Sequence, residues 1–273
     1  MRKTILIFLI ILCGWNLYAQ QTLPTQPLII GEIKTIKSEV LNEDRILNIY
    51  LPLNYDTAKA YPVIYLLDGT INEDFLHIVG LVQFFNLQFQ MPDFIIVGIA
   101  NVDRKRDFTF HTDLEDLQKD FPTTGHSDVF IQFIKNELQP FITSTYKTDG
   151  TKFIIGQSLG GLLASEILLK DPDLFTHYLI VSPSLWWDNE SMLNNANTLL
   201  ENQSENTLYV YIAVGKGEPK IMKREASGLK KALEKSDNKN LSLTYNLMAD
   251  ENHATILHNA IYDAFLNLYP YKE

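Results

Sequence analysis

The stretch Lys152 to Lys170, KFIIGQSLGGLLASEILLK, restricts the backbone more than any other part of the chain. An apolar run too short for a helix passes almost at once into an apolar segment of helical length. Glycines stand on both sides of the one serine between them. A sharp strand-to-helix turn suits that spacing, because side chains at the flanking positions would collide in so tight a bend. Gly156-Gln157-Ser158-Leu159-Gly160 therefore matches the G-x-S-x-G elbow, which lifts a hydroxyl above the edge of a sheet as a nucleophile. The competing reading of Ser158 is a small residue in an ordinary turn, so the rest of the chain has to decide.

That alternation of apolar runs recurs from end to end. EIKTIKSEVL and RILNIYLPL alternate as a hairpin does, with a turn around Asn42-Glu43-Asp44. YPVIYLLDG and DFIIVGIA are continuous apolar runs, as in strands buried on both faces. THYLIVS, TLYVYIAVG and LSLTYNLM read as further strands. EDFLHIVGLVQFFNLQ and ATILHNAIYDAFLNLY read as helices. So does DVFIQFIKNELQPFITSTY, with Pro140 kinking or dividing it. Asn101 to Ser127 reads as a long polar loop. Strands alternating with helices predict an α/β fold: one domain whose mainly parallel sheet of about eight strands carries helices on both faces, with the opening hairpin as its antiparallel edge.

The N-terminus, MRKTILIFLIILCGWNLYAQQ, has the charged start, apolar centre and small residue before a cut that mark a secretory leader, here residues 1–19 with cleavage ahead of Gln20. The apolar run is too short to span a bilayer comfortably, so no stable membrane anchor is expected. Cleavage removes Arg2, Lys3 and the single cysteine, Cys13, leaving 21 basic against 33 acidic residues and a formal charge of −12 in residues 20–273. That charge disfavours nucleic acid and anionic membrane surfaces as partners. A thiol-free domain suits a periplasmic or secreted protein. It also has no zinc–cysteine site, and no metal or cofactor is expected. The chemistry must then come from oxygen and nitrogen groups.

A serine nucleophile needs a base, and in the elbow architecture the order is Ser, acid, His. His77 and His258 fall within helical patterns, His111 and His126 precede Ser158, and His177 starts a strand at its amino end. His253, in MADENHATI, follows the last strand where a loop at the carboxyl edge turns into the final helix. As a neutral imidazole it can take the Ser158 proton and return it to a leaving alcohol. Glu218, in GKGEPKIM after the preceding strand, lies in the expected order for the acid. Asp188, Asp250 and Glu251 remain alternatives, and Glu218 could equally be a helix-start carboxylate. Two backbone N–H donors are expected for the oxyanion, at Leu159 and at Thr70 in LLDGT. Asp68 in the same stretch reads as a loop anchor.

The ordered set VIYLLDG, IIVGIANVDRKRDFT, FIKNELQPFI, GQSLGG, SPSLWW, VGKGE and ENHAT resembles the putative esterase family of α/β-hydrolases over about Gly31 to Leu268. That family includes esterase D, feruloyl and acetylxylan esterases, and enterobactin-type siderophore esterases. The resemblance implies the α/β-hydrolase fold, with Ser158 as nucleophile, His253 as base and Glu218 at the acid position. Many relatives carry aspartate at that position, and some siderophore esterases work without a functioning acid.

Two further stretches bear on substrate. Trp186 and Trp187 in SPSLWW either wall an acyl pocket or pack the core. Arg104 and Arg106 in NVDRKRDF either pair with Asp107 to brace their loop or meet an anionic substrate. The sequence thus predicts an exported serine carboxylic-ester hydrolase acting through an acyl-enzyme on a small-molecule or carbohydrate-linked ester. The alternatives are a siderophore trilactone esterase and a non-catalytic binding protein that keeps the fold.

Overall fold

The computed structural model describes residues 25–201 and 204–271. The leader and its cleavage site lie outside them. A compact unit begins at Gly31; residues 25–30, which fall in a separate unit, are exposed and have no regular secondary structure.

Eight strands form one sheet: β1 (Glu32–Ser38), β2 (Glu43–Tyr50), β3 (Tyr61–Leu66), β4 (Ile95–Ile99), β5 (Thr148–Gln157), β6 (His177–Val181), β7 (Leu208–Gly215) and β8 (Leu241–Met248). Their order is β1-β2-β4-β3-β5-β6-β7-β8. The β1–β2 and β2–β4 pairs are antiparallel and all the others parallel. The α-helices are α1 (Phe75–Phe89), α2 (Arg104–Phe108), α3 (Glu115–Asp120), α4 (Ser127–Phe133), α5 (Gln139–Thr145), α6 (Leu159–Lys170), α7 (Trp187–Asn194), α8 (Ala196–Leu199), α9 (Lys220–Lys235) and α10 (Ile256–Leu268).

The continuous apolar strands bury both faces, and their period of two sorts the side chains. Val63, Tyr65, Val210 and Ile212 join the core under α4, α6 and α9. Ile64, Leu66, Tyr211 and Ala213 join the opposite core under α1 and α10. Both layers are needed to cover such strands, which is why helices lie on both faces.

Three details differ from the sequence reading. Glu43 and Asp44 belong to β2, and the hairpin turn lies before them, with Asn42 in a left-handed conformation at φ 52°. Pro140 is the second residue of α5, and the helical run is divided as the sequence reading allowed, but the break falls before the proline, as a π-turn at Ile134–Leu138 that joins α4 to α5. The loop from Asn101 to Ser127 contains α2 and α3. It is anchored by buried Phe108 and by Asp107, whose carboxylate accepts from the buried Arg45 at 2.5 Å.

In this order β3 pairs with both β4 and β5, so the loop after β3 and the elbow after β5 are neighbours. The crevice at such a point, outside the carboxyl ends of the strands, is where open α/β sheets bind ligands.

Candidate active site

Ser158 stands between β5 and α6 with φ 59° and ψ −117°, a backbone that non-glycine residues rarely adopt. A side chain at Gly156 would put its Cβ 2.4 Å from the Gly160 carbonyl oxygen, and one at Gly161 would come within 2.9 Å of the Val181 carbonyl. Gly156 and Gly161 are therefore required by contact, whereas a Cβ at Gly160, the second glycine of the elbow pattern, would meet only the Asp68 and Leu67 side chains at an ordinary 3.5 Å. Main-chain bonds fix the elbow: the Ser158 N–H donates to Val181 O at 3.1 Å, and its carbonyl accepts from Ser184 N at 3.0 Å. The hydroxyl meets Ser184 Oγ at 3.3 Å. Leu159, the first residue of α6, has an N–H with no acceptor inside the helix, as helix starts do.

His253 lies in the turn before α10, and its Nδ1 is 3.0 Å from Glu218 Oε2. The Glu218 side chain is fully buried. Its other oxygen accepts from the Gly215 N–H at 2.9 Å and from the Ser182 hydroxyl. Burial pushes this carboxyl up, but the hydrogen bonds from His253, Ser182 and Gly215 outweigh it and hold it below its ordinary range. The other acids have different engagements. Asp188 accepts from Thr112 Oγ1 at 2.6 Å; Glu251 accepts from Thr255 and Asn259, each at 2.5 Å; Asp250 is exposed. His253 and Ser158 share no hydrogen bond among the described residues. Such contacts commonly tighten only when substrate is bound.

The Thr70 N–H donates to Glu73 Oε2 at 3.2 Å, with the Thr70 hydroxyl on the same oxygen at 2.8 Å. Receiving an oxyanion there would require that carboxylate to give way. Asp68 is held by Arg104 through Nε at 2.6 Å and Nη2 at 2.9 Å, and by Asn101 at 2.7 Å. Arg106 braces its loop, bonding Asp107 at 2.8 Å and Glu43 at 2.7 Å. Arg104 thus pairs with Asp68, not with Asp107.

The two tryptophans part company. Trp187 is completely buried and donates from Nε1 to Phe110 O at 2.9 Å, a core role. Trp186 lines a cavity of about 820 Å³ together with Leu114, Leu117, Ile221 and Met222. Glu115 and Asp116 stand in the same wall. Trp186 follows Ser184 by two positions and Pro219 of the wall follows Glu218, so the cavity adjoins the Ser158–Glu218 region.

Sequence reasoning did not single out Ser182, Ser184, Gln157 or Arg45. The serines carried a usable signal, SPS directly after the apolar run of β6, at the same sheet edge as the elbow. Among the described residues, no three His, Cys, Asp or Glu side chains are grouped to hold a metal ion.

The sequence profile of the family described as Putative esterase matches residues 38–259. The ferri-bacillibactin esterase BesA of Bacillus subtilis is 30% identical over 208 residues, 68% of this chain and 70% of that protein. The crystal structure of an IroE-like serine hydrolase from Shewanella oneidensis superposes with a TM-score of 0.80 at 31% identity, covering 88% of this chain and 80% of the other. That of the BES protein from Bacillus cereus gives 0.79 at 28%, covering 90% and 97%.

Proposed function

The chain belongs to the Putative esterase family of α/β-hydrolases, and from that premise we propose that it is an exported serine ester hydrolase working through an acyl-enzyme. The observation that carries this reading is the contact of the His253 ring with the buried, ionised Glu218, on the sheet edge that holds the strained Ser158. With Nδ1–H donated to Glu218, Nε2 is left free to accept a proton. Ser158 Oγ attacks the ester carbonyl as its proton passes to Nε2. The tetrahedral oxyanion is met by the Leu159 N–H and, once Glu73 moves aside, by that of Thr70. Nε2–H then protonates the leaving alkoxide, and water repeats the sequence in reverse to free the acid.

For substrate, we favour a siderophore-type polyester over a simple acetyl ester. BesA is named a ferri-bacillibactin esterase, and the cavity beside Trp186 is large and mostly apolar. Carbohydrate-linked esters remain a second arm of the test. Export rests on the N-terminal pattern, and intact mass of the exported protein should place its start at or near Gln20. The chemistry is tested with a fluorophosphonate probe, which should label the wild type and not Ser158→Ala. Turnover is then measured over acetyl, feruloyl, short-acyl and trilactone esters. The alanine variant should lose on the order of 10⁶ in kcat, as when a nucleophile that acts as a unit with its base is removed. A wild type that is neither labelled nor active would leave the non-catalytic binding protein as the better description.

A further inference from the structure

We propose that Gln157, the residue before the nucleophile, is a positioning residue that sets the distance between Ser158 and its base. Its carboxamide Nε2 donates to the main-chain carbonyl of His253 at 2.5 Å. The need for such a tie follows from where His253 sits. It lies in a turn just before α10, and its side chain is 44% exposed, so little packing restrains it. The Glu218 contact fixes which way the ring turns but leaves its separation from the hydroxyl free. Gln157 is covalently adjacent to Ser158, so a bond from its side chain to the His253 backbone links the two partners directly.

Gln157 is itself held. Its carbonyl accepts from Arg104 Nη2 at 3.2 Å, and the same guanidinium grips both oxygens of Asp68. Asp68, at φ 53°, is the left-handed residue that aims the chain into Gly69 and Thr70. One path of hydrogen bonds thus joins the loop after β3, the elbow and the histidine turn. These are the three segments that must converge on a single carbonyl carbon. Bidentate pairing gives Arg104 a fixed plane as well as a charge, which suits it to locate a neighbour.

The inference rests on the roles proposed above for Ser158 and His253. The test compares Gln157→Met, which keeps length and loses the donor, alone and in a Glu218→Gln background. Gln157→Glu serves as a second variant of the same shape. A sub-ångström loosening of the base should lower kcat about ten- to a hundred-fold with KM little changed. Melting temperature should move by no more than about 2 °C. Because Gln157 acts through the same imidazole as Glu218, its substitution should cost under about three-fold once Glu218 is gone. Full kcat in either single variant, or an equal factor in both backgrounds, overturns the proposal while the ester-hydrolase reading stands. A wild type inactive on every ester and unlabelled by fluorophosphonate overturns both.

Discussion

Glu218→Gln is the substitution whose outcome follows most directly from the hydrogen bonds. Glutamine matches the shape of the carboxylate, so the question is which way its amide lies. At the Oε1 position two donors converge, the Gly215 N–H at 2.9 Å and the Ser182 hydroxyl. An NH2 group placed there would face the Gly215 N–H and leave that buried donor without an acceptor, at a cost of about 1–3 kcal/mol. The carbonyl oxygen therefore takes that position, and the NH2 faces His253 Nδ1. To accept from it, Nδ1 must lose its hydrogen, which moves the proton to Nε2, the nitrogen that in the proposed mechanism receives one from Ser158. The imidazolium also loses the negative partner that Glu218 provides at 3.0 Å. In serine proteases the corresponding amide substitution lowers kcat about 10⁴-fold, and a loss of about 10³- to 10⁴-fold is expected here. Stability should behave differently. The Glu218 carboxyl lies below its ordinary range in the folded protein, so it stabilises the fold above its unfolded pKa, and this contribution is lost as pH falls through the folded value. The melting-temperature gap between wild type and variant should accordingly close in acid. The assay is kcat/KM on an aryl ester alongside thermal melts at several pH values. A variant within ten-fold of wild type at every pH would refute the assignment of Glu218 and direct attention to Asp188, Asp250 or Glu251.

Trp187→Ala should destabilise the fold by about 3–5 kcal/mol, because it empties a fully buried site and strands the Phe110 carbonyl, whereas Trp186→Ala should leave the melting temperature nearly unchanged and raise KM for bulky esters. Steady-state kinetics and chemical denaturation separate the two. Glu225 is completely buried, and burial followed by repulsion from Glu190 raises its carboxyl from 4.5 to about 7. Ionising it in the folded state is penalised, so its cost to stability appears above pH 4.5, grows to about pH 7 and is constant beyond. Glu225→Gln should then raise the melting temperature at pH 8 and give no gain near pH 4, and a gain independent of pH would contradict this account.

The fold was legible because its signals are periodic and repeated. The both-face burial of β3 and β7 is written as unbroken apolar runs, and two of the three glycines in GQSLGG, Gly156 and Gly161, are imposed by backbone contacts under 3 Å that any side chain would violate. His253 and Glu218 could be singled out because chain order and sheet edge leave few residues of the right chemistry. Partner choice was not legible. Nothing in NVDRKRDF tells Arg104 to cross to Asp68 while Arg106 turns to Glu43 and Asp107, since both arginines lie on one short helix and only the folded neighbours distinguish them. The same holds for WW, where adjacent, chemically identical side chains end in the core and on a cavity wall.

Backbone strain explains much of what stayed hidden around the site. Nine described non-glycine residues have positive φ, and six of them lie beyond the carboxyl ends of β3, β5 and β6: Asp68, Ser158, Ser182 and the run Asp188-Asn189-Glu190. Left-handed positions normally advertise themselves as glycine or asparagine, which pay least for that conformation. Aspartate gives a weaker notice of the same kind, and serine and glutamate give none. Each is retained in an unfavourable backbone where its side chain is engaged: Asp68 by Arg104 and Asn101, Ser182 by Glu218, Asp188 by Thr112, Glu190 by Arg224. Local preference and tertiary contact disagree at these positions, and the contact wins, as is expected where a fold is bent to hold reactive groups in place. A glycine in place of Ser182 or Asp68 would relax the turn and remove the hydrogen bond together. At Ser182 and Asp68, then, the residue that strains the edge is also the one that orients the Glu218 carboxylate or holds the loop leading to Thr70, and there strain and alignment have one cause.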